Sequence, residues 1–191
     1  EGVVCIARAK MSVTFPARFM LMAAMNPCPC GYYNHPKKEC HCSPALIQKY
    51  MHKISGPLLD RIDMHIEVVP VLYNELRASK QEESSATIAS RVKIAREIQA
   101  HRFKNEIGTY TNAQMNSSQL KKYCTITSEG EAILKMAMEK FQLSARAFDR
   151  IIKVSRSIAD LDNSNTIQIN HISEALQYRN LDKSNWGQYK N

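Results

Sequence analysis

The sequence lacks a long apolar run, and this absence excludes one broad class of protein. No apolar stretch in the 191 residues approaches the ~20 that a helix needs to cross a bilayer. The first residues also lack the charged, apolar and cleavage regions of a secretory signal peptide. We therefore expect a cytoplasmic protein with no membrane partner.

Two signatures of a complete nucleotide site are also missing. No Gly-x-x-x-x-Gly-Lys-Ser/Thr phosphate loop occurs, and no apolar strand ends in paired acidic residues that could hold Mg²⁺. The chain begins with Glu and runs directly into a β-rich segment, as if a strand had been entered midway. We interpret the sequence as a fragment or domain of a longer protein.

The composition is that of a globular protein. A hydrophobic content of 44% can bury one sizeable core or two small ones, and no low-complexity tract suggests disorder. The formal net charge of +8 favours a polyanionic partner, but only modestly, because many basic proteins bind none.

The most informative segment is residues 19–25, seven consecutive apolar residues that end on Asn26. Such a run predicts a strand of a parallel sheet that is covered on both faces. Ligands of these sheets bind beyond the carboxyl ends of the strands. The pattern therefore predicts that the side-chain amide of Asn26 lies in an active site.

Further patterns indicate an α/β part that ends near residue 72. Residues 3–7 and 13–15 are β-rich and predict a hairpin with a basic tip at Arg8 and Lys10. Ser43 and Pro44 are the expected start of a helix that ends at Gly56-Pro57. Alternating apolar and polar residues over 62–68 predict another strand.

The remainder of the chain is predicted to be helical. Residues 73–86 are polar and form a connecting segment, and residues 87–191 form a helical domain. Its helices are predicted over 87–103 and 116–123, from a capping box at Ser128, from Ser144 to about Leu161, and from Asn170 through Arg179.

The helix that begins after Ser144 has one cationic face. At ~100° per residue, Arg146, Arg150, Lys153 and Ser157 lie opposite the apolar residues. A solvated polar face is the simplest interpretation. However, the helix macrodipole disfavours a cation in the first turn, where Arg146 lies. This position is better explained if Arg146 binds an anion such as a phosphate.

Three motifs carry a resemblance to a known family. They are PARFMLMAAMNPCPCG at residues 16–31, SGPLLDRID at 55–63 and LSARAFDRI at 143–151. Together they resemble the magnesium-chelatase-like AAA+ ATPases of the YifB or competence protein ComM family, over essentially the whole chain. The resemblance implies an α/β fold: the second half of an AAA+ (P-loop NTPase) core, with a β-hairpin and parallel-sheet strands, followed by an all-α helical lid.

The resemblance also implies roles for individual residues. Asn26 matches sensor 1, which orients the attacking water, and Arg61 resembles the arginine finger, which acts on the neighbouring subunit's nucleotide. Arg146 resembles sensor 2, which contacts phosphate from the lid. Arg8 and Lys10 occupy the place of a hairpin that grips DNA in similar helicases. The alternatives are a strand-end Asn, an Arg61 paired with a nearby aspartate, and a hairpin tip charged only for solubility.

The family implies an ATPase that uses ATP and Mg²⁺ as a homo-oligomeric, hexameric ring. We expect a motor that acts on DNA in helicase or branch-migration reactions of natural transformation or recombination. The alternative is a magnesium-chelatase-like remodelling ATPase that acts on a protein or metal-insertion partner, and a third class is a non-enzymatic zinc-binding module. The chain itself, without a phosphate loop, is expected to be inactive and monomeric.

Four cysteines follow Asn26 in two closely spaced pairs. Cys28, Cys30, Cys40 and Cys42 could bind a structural zinc ion as four thiolates, with His35 and His41 nearby. The single residue between paired cysteines departs from the usual zinc spacing, so unligated thiols or a disulfide remain alternatives. Cys5 and Cys124 are predicted to be core residues.

Overall fold

The computed structural model of the protein describes residues 2–8, 11–71 and 83–179. Within these ranges the chain forms one two-stranded sheet and seven α-helices. The mixed α/β composition agrees with the predicted fold class. No helix in the described ranges is long and apolar enough to cross a membrane.

The predicted hairpin is confirmed. Strands β1 (Val3–Arg8) and β2 (Met11–Pro16) pair antiparallel, with Val3 opposite Pro16 and Arg8 opposite Met11. Valine and isoleucine in β1, and valine, threonine and phenylalanine in β2, are residues favoured on a pleated surface. The side chains are largely exposed, so the hairpin packs on little of the described chain. Lys10 lies outside the described residues.

The two predicted parallel-sheet strands are not formed. Residues 19–25 and 62–68 have no strand conformation, and β1 and β2 pair only with each other among the described residues. Met20 and Met22 are each 85% exposed, which is the opposite of the predicted burial. The physical reason is that a parallel strand requires adjacent strands to satisfy its backbone hydrogen bonds, and the described residues provide none beside these segments.

The single helix predicted from Ser43 to Gly56-Pro57 is two helices in the structure, and Gly56-Pro57 begins the second rather than ending the first. Helix α1 (Pro44–Met51) begins at Ser43, whose hydroxyl accepts a 3.3 Å hydrogen bond from the Leu46 N–H. The short helix α2 (Gly56–Leu59) follows, with a proline in its first turn. Proline is favoured there because the first N–H groups of a helix have no partner inside it.

The rest of the described chain, residues 83–179, forms a helical domain. Most of the predicted connecting segment at 73–86, and residues 180–191 of the predicted domain, lie outside the described residues. The elements of the domain are α3 (Ser85–Arg102), a 3-10 turn (Asn112–Gln114), α4 (Ser117–Tyr123), α5 (Ser128–Phe141), α6 (Ala145–Leu161) and α7 (Ile169–Gln177). Helix α6 lies at the centre and contacts α3, α4 and α7. Its buried residues Ile151, Ile152 and Ala159 pack with Ile167 and Ile172.

Two predicted helix starts are displaced. The N-cap of α5 is Thr127 rather than Ser128, and the N-cap of α7 is Gln168 rather than Asn170. Both caps adjoin an isolated parallel bridge between Ile126 and Ile167, where the Thr127 N–H donates to the Ile167 carbonyl at 3.0 Å. This long-range pairing holds the backbone extended up to each cap, so the helices begin immediately after it.

A buried carboxylate organises the helical domain. Asp160 of α6 is 1% exposed and accepts hydrogen bonds from Arg102 at 2.7 Å and from Arg156 at 3.1 Å. The Asn112 amide donates to the same carboxylate at 2.7 Å. Arg156, also 1% exposed, donates to the Asn165 carbonyl at 2.9 Å. Burial lowers the pKa of Arg156, and the Asp160 charge opposes this effect.

This network, the Asp160 cluster, connects α3, the 3-10 turn and α6. Buried charges are tolerated only when they are paired and hydrogen-bonded, because each loses its hydration on folding. Asp160 satisfies this condition for two guanidinium groups at once. The cluster therefore holds three elements in one arrangement.

We expect Asp160→Asn to lower the free energy of unfolding by about 3–5 kcal/mol, because it leaves buried guanidinium charge uncompensated. Urea denaturation followed by circular dichroism measures the change. Glu97→Gln is the control, because Glu97 forms an exposed 4.0 Å pair with Lys93 and its loss should have little effect. Equal stability losses in the two variants would contradict the role of the cluster.

Candidate functional site

Among the described residues, Arg146 is the unpaired cation on the polar face of α6. The Ser144 hydroxyl caps this helix by accepting the Ala147 N–H at 3.1 Å, which places Arg146 in the first turn. Arg146 is exposed and forms no hydrogen bond or ion pair with any residue that the structure describes. Its guanidinium is therefore available to an anion at the positive end of the helix dipole.

The other polar residues of this face are occupied. Arg150 donates to Asp63 Oδ1 at 2.7 Å, and Lys153 Nζ donates to the Ala113 carbonyl at 3.0 Å. Ser157 accepts the Asn112 amide at 3.1 Å. A uniformly solvated face is therefore wrong for these three residues. Arg146 alone among the four keeps its donors free within the described chain.

Arg61 lies two residues after the end of α2 and is also exposed. Its guanidinium donates to the Pro57 carbonyl at 2.6 Å, which is a contact within its own turn. The alternative in which Arg61 pairs with Asp60 or Asp63 is not observed. Both aspartates bind α6 instead.

These two contacts form what we call the aspartate bridge. Asp60 Oδ2 accepts the Ser144 hydroxyl at 3.1 Å, and Asp63 accepts Arg150. A hydroxyl has one donor and two lone pairs, so Ser144 can cap α6 and bind Asp60 at the same time. The bridge places the Arg61 segment against the start of the helix that carries Arg146.

The end of the helical domain also contacts the segment around Arg61. The His65 N–H donates to the Tyr178 carbonyl at 2.7 Å, and the Arg179 guanidinium donates to the Ile62 carbonyl. Burial, reinforced by the Arg179 charge, lowers the pKa of His65, so its imidazole is favoured in the neutral form. The segment around Arg61 is thus fixed by two separate parts of the helical domain.

The sequence did not identify these positioning residues. The sequence indicates Asp60 and Asp63 only as possible partners of Arg61, and Arg150 only as part of a solvated face. A usable signal was present, because SGPLLDRID at residues 55–63 and LSARAFDRI at 143–151 contain the bridge residues. The two motifs contact each other through these side chains.

The third predicted site residue is Asn26. It is exposed, and no hydrogen bond or ion pair among the described residues joins it to Arg61 or Arg146. Its side chain adjoins Gly31, where an added Cβ would lie 3.9 Å from Asn26 Cγ. The structure therefore brings together the segments of the two predicted arginines but not the predicted sensor 1 residue.

The predicted DNA contact is described only in part. Arg8 is exposed at the end of β1, opposite Met11 of β2. Lys10 cannot be placed with it, since it falls outside the described ranges. The DNA-binding role of this pair stays a prediction.

The four clustered cysteines converge despite their unusual spacing. The Sγ atoms of Cys28, Cys30, Cys40 and Cys42 all lie within 4.8 Å of one another. The Cys28 and Cys30 sulfurs are 3.3 Å apart, far longer than a disulfide bond of about 2.05 Å, and all four cysteines are free thiols. The disulfide alternative is therefore wrong for this structure. The group could hold a metal ion.

The environment of the cluster favours the thiolate at Cys30 only, because burial and the neighbouring sulfurs raise the pKa values of Cys40 and Cys42. A backbone N–H from Tyr32 lowers the pKa of Cys30 to about 6. His35 does not belong to the group, because its Nδ1 accepts the Lys37 and Lys38 N–H groups at 3.1 and 3.0 Å.

The two remaining cysteines lie in different environments. Cys124 is buried in the helical core, as predicted. The prediction for Cys5 is wrong, because Cys5 is exposed on β1 and its sulfur lies 3.0 Å from the Ser12 hydroxyl. It lies on the hairpin, whose side chains are largely exposed.

The geometry defines an α/β segment joined to a helical domain. The exposed Arg61 lies on the segment, and the exposed Arg146 lies on the domain, at the contact between the two. Residues 82–179 match the family model described as magnesium chelatase, subunit ChlI C-terminal, and residues 1–76 match magnesium chelatase, subunit ChlI. The chain belongs to this magnesium-chelatase-like family, as the three motifs predicted.

Curated relatives include two bacterial proteins that match nearly the whole chain. The uncharacterized protein YifB of Escherichia coli K12 is 38% identical over 186 residues, which cover 96% of this chain and 35% of YifB. Competence protein ComM of Haemophilus influenzae is 40% identical over 180 residues, which cover 94% of this chain and 34% of ComM. The chain thus spans about a third of the length of these relatives.

We expect a double-mutant cycle on Asp63→Ala and Arg150→Ala to give a coupling energy of about 0.5 kcal/mol, because the pair is only partly screened by solvent. Urea unfolding of the four proteins measures it. The Lys93 and Glu97 pair is the control, since it is longer and more exposed, and its coupling should be close to zero. A coupling for Asp63 and Arg150 no larger than the control would contradict a bridge that contributes to the fold.

Proposed function

We propose that this chain is the sensor and lid part of an AAA+ motor that hydrolyses ATP with Mg²⁺. The observation that supports the proposal is that two exposed arginines, Arg61 and Arg146, lie on segments that the aspartate bridge holds together. Family membership supports an ATPase of the magnesium chelatase type. The remaining parts of the site are proposed to lie in the rest of the longer protein.

Each arginine suits a phosphoryl-transfer role. Catalysis of this reaction is mostly positioning and stabilisation of charge on phosphate oxygens, and a guanidinium can bind two such oxygens at once. Arg146, free at the start of α6, would contact the nucleotide of its own subunit. Arg61, held by one carbonyl in its own turn, would exchange that contact for phosphate in the neighbouring subunit.

The aspartate bridge gives these two roles a physical connection. Asp60 and Asp63 flank Arg61 and bind Ser144 and Arg150, which lie on either side of Arg146. A movement of α6 on nucleotide binding would therefore move the Arg61 segment with it. In a homo-oligomeric ring, the bridge would couple each site to its neighbour.

The exposed segment at residues 19–25 fits the same proposal. Its apolar side chains, including Leu21 at 60% exposure, are the sort that a sheet buries on both faces. We propose that in the complete protein this segment is a strand whose carboxyl end presents Asn26 to the attacking water. The relatives are about three times as long as this chain, which leaves ample sequence for the adjacent strands.

For the substrate of the motor, we propose DNA. The net charge of +8, the exposed Arg8 on a hairpin and similarity to a protein named for competence support this choice. The alternative is a remodelling ATPase that acts on a protein or a metal-insertion partner, which the description of the matched family favours. DNA-stimulated ATP hydrolysis by the complete protein distinguishes the two.

In the complete protein, we expect Arg61→Ala to lower kcat for ATP hydrolysis by at least about 100-fold with little change in ATP affinity, because the finger acts mainly on the transition state. Arg146→Ala should lower both kcat and ATP affinity, since it contacts bound phosphate. Steady-state hydrolysis and nucleotide titrations measure these effects. Arg96→Ala, an exposed arginine of α3, is the matched control.

Mixing experiments test the assignment of Arg61 to the neighbouring site. Arg61→Ala subunits mixed with subunits that carry a disabled phosphate loop should recover hydrolysis, because each type supplies what the other lacks. Absence of recovery in rings shown to be mixed would contradict action across the interface.

For DNA binding, we expect Arg8→Glu with Lys10→Glu in the complete protein to weaken affinity and to reduce the slope of log K against log salt by about 2, since each cation contributes about one phosphate contact. Fluorescence anisotropy over a salt series measures this. Lys121→Glu with Lys135→Glu makes the same charge change at exposed positions of the helical domain. An unchanged slope in the hairpin variant would contradict the proposal that the hairpin contacts DNA.

A further inference from the structure

We propose that Cys28, Cys30, Cys40 and Cys42 bind one zinc ion as a structural site. The four thiols come from two pairs that are ten residues apart in sequence, yet their Sγ atoms converge within 4.8 Å. This site is separate from the proposed nucleotide chemistry and does not depend on it.

The sulfur separations suit a single ion. A zinc–sulfur bond is about 2.3 Å, so the sulfurs of a regular tetrahedron are about 3.8 Å apart. The Cys28–Cys40 and Cys30–Cys40 separations are 3.7 and 3.6 Å, and the Cys28–Cys30 separation is 3.3 Å. Small side-chain adjustments therefore suffice to form the tetrahedron.

The donor set selects the kind of metal and its role. Four sulfurs without a carboxylate or imidazole favour a soft or borderline metal such as zinc over Mg²⁺ or Ca²⁺. Four protein ligands leave no open position for water or substrate. The site is therefore structural rather than catalytic.

The loop backbone explains how single-residue spacing can produce this arrangement. Gly31 and Asn34 both have positive φ angles, 82° and 61°, and the Gly31 N–H donates to the Cys28 carbonyl at 3.0 Å. These turns direct the loop back so that the second cysteine pair meets the first. The Tyr33 N–H donates to Cys28 Sγ at 3.3 Å, which is the type of second contact that stabilises a metal-bound thiolate.

The ion would join two segments of the chain. Cys28, which is fully buried, packs against Ile47 and Met51 of α1 and lies two residues after Asn26. Cys42 directly precedes Ser43, the N-cap of α1. Zinc would thus connect the end of the Asn26 segment to the start of α1, in a loop with few apolar residues to hold it.

The test is metal analysis of the 191-residue chain purified without chelators. We expect about one zinc per chain and, after exchange with Co²⁺, the visible absorption of a tetrahedral tetrathiolate cobalt site. Neither measurement needs ATP or activity, so their outcome is independent of the proposed function. Iron as the bound metal, or reduced protein that retains no zinc and gives no such cobalt spectrum, would overturn the proposal.

Variants assign the ligands. Cys40→Ser with Cys42→Ser should lower retained zinc at least tenfold, because two of four ligands are lost. Cys5→Ser, which alters an exposed thiol outside the cluster, should retain the full zinc content. Equal zinc in both variants would overturn the assignment. If the double variant does not fold, the cobalt spectrum of the unaltered chain still decides.

Discussion

The helical domain depends on the buried carboxylate of Asp160. An isolated buried carboxylate would destabilise the fold, and so would the buried guanidinium of Arg156. The Asp160 carboxylate instead accepts hydrogen bonds from Arg156, Arg102 and Asn112. Because these partners come from three elements, α6 cannot shift along its axis without breaking several charge-assisted hydrogen bonds. From Asp160 to Arg146 the helix extends about 21 Å at 1.5 Å per residue, so a fixed carboxyl-terminal half also fixes the position of the first turn.

The first turn of α6 positions the Arg61 segment of the proposed site. Ser144 caps the helix and binds Asp60, while Arg150 binds Asp63. Arg61 is held between these contacts with its side chain exposed. Arg146 remains the cation of this face without a partner in the described chain. A rigid helix thus presents one arginine directly and positions the second through the aspartate bridge. The Cys28–Cys42 loop lies outside this arrangement and packs on α1.

Different features of the structure were predictable to different degrees. The hairpin and most helix starts followed from residues a few positions apart, because Ser43, Asn116 and Ser144 cap helices through hydrogen bonds to N–H groups three residues later. Thr127 instead of Ser128 caps α5 because a bridge to Ile167, forty residues away, extends the backbone there. The apolar run at residues 19–25 predicted a strand, but strands require partners, and the described chain offers none beside it. At residues 62–68 the alternation does not bury the apolar residues, since His65 is buried and Val68 is 87% exposed.

The sequence by itself determined the family, the order of the elements and the candidate residues Asn26, Arg61 and Arg146, because motifs and capping signals are local. It also showed four cysteines but left a disulfide, unligated thiols and a metal site open. Only the tertiary structure decided that the sulfurs converge at separations too long for a disulfide. Only the tertiary structure showed that Asp60 and Asp63 bind α6 rather than Arg61. These contacts join residues more than eighty positions apart, and such pairings depend on how the packed elements meet rather than on any local pattern.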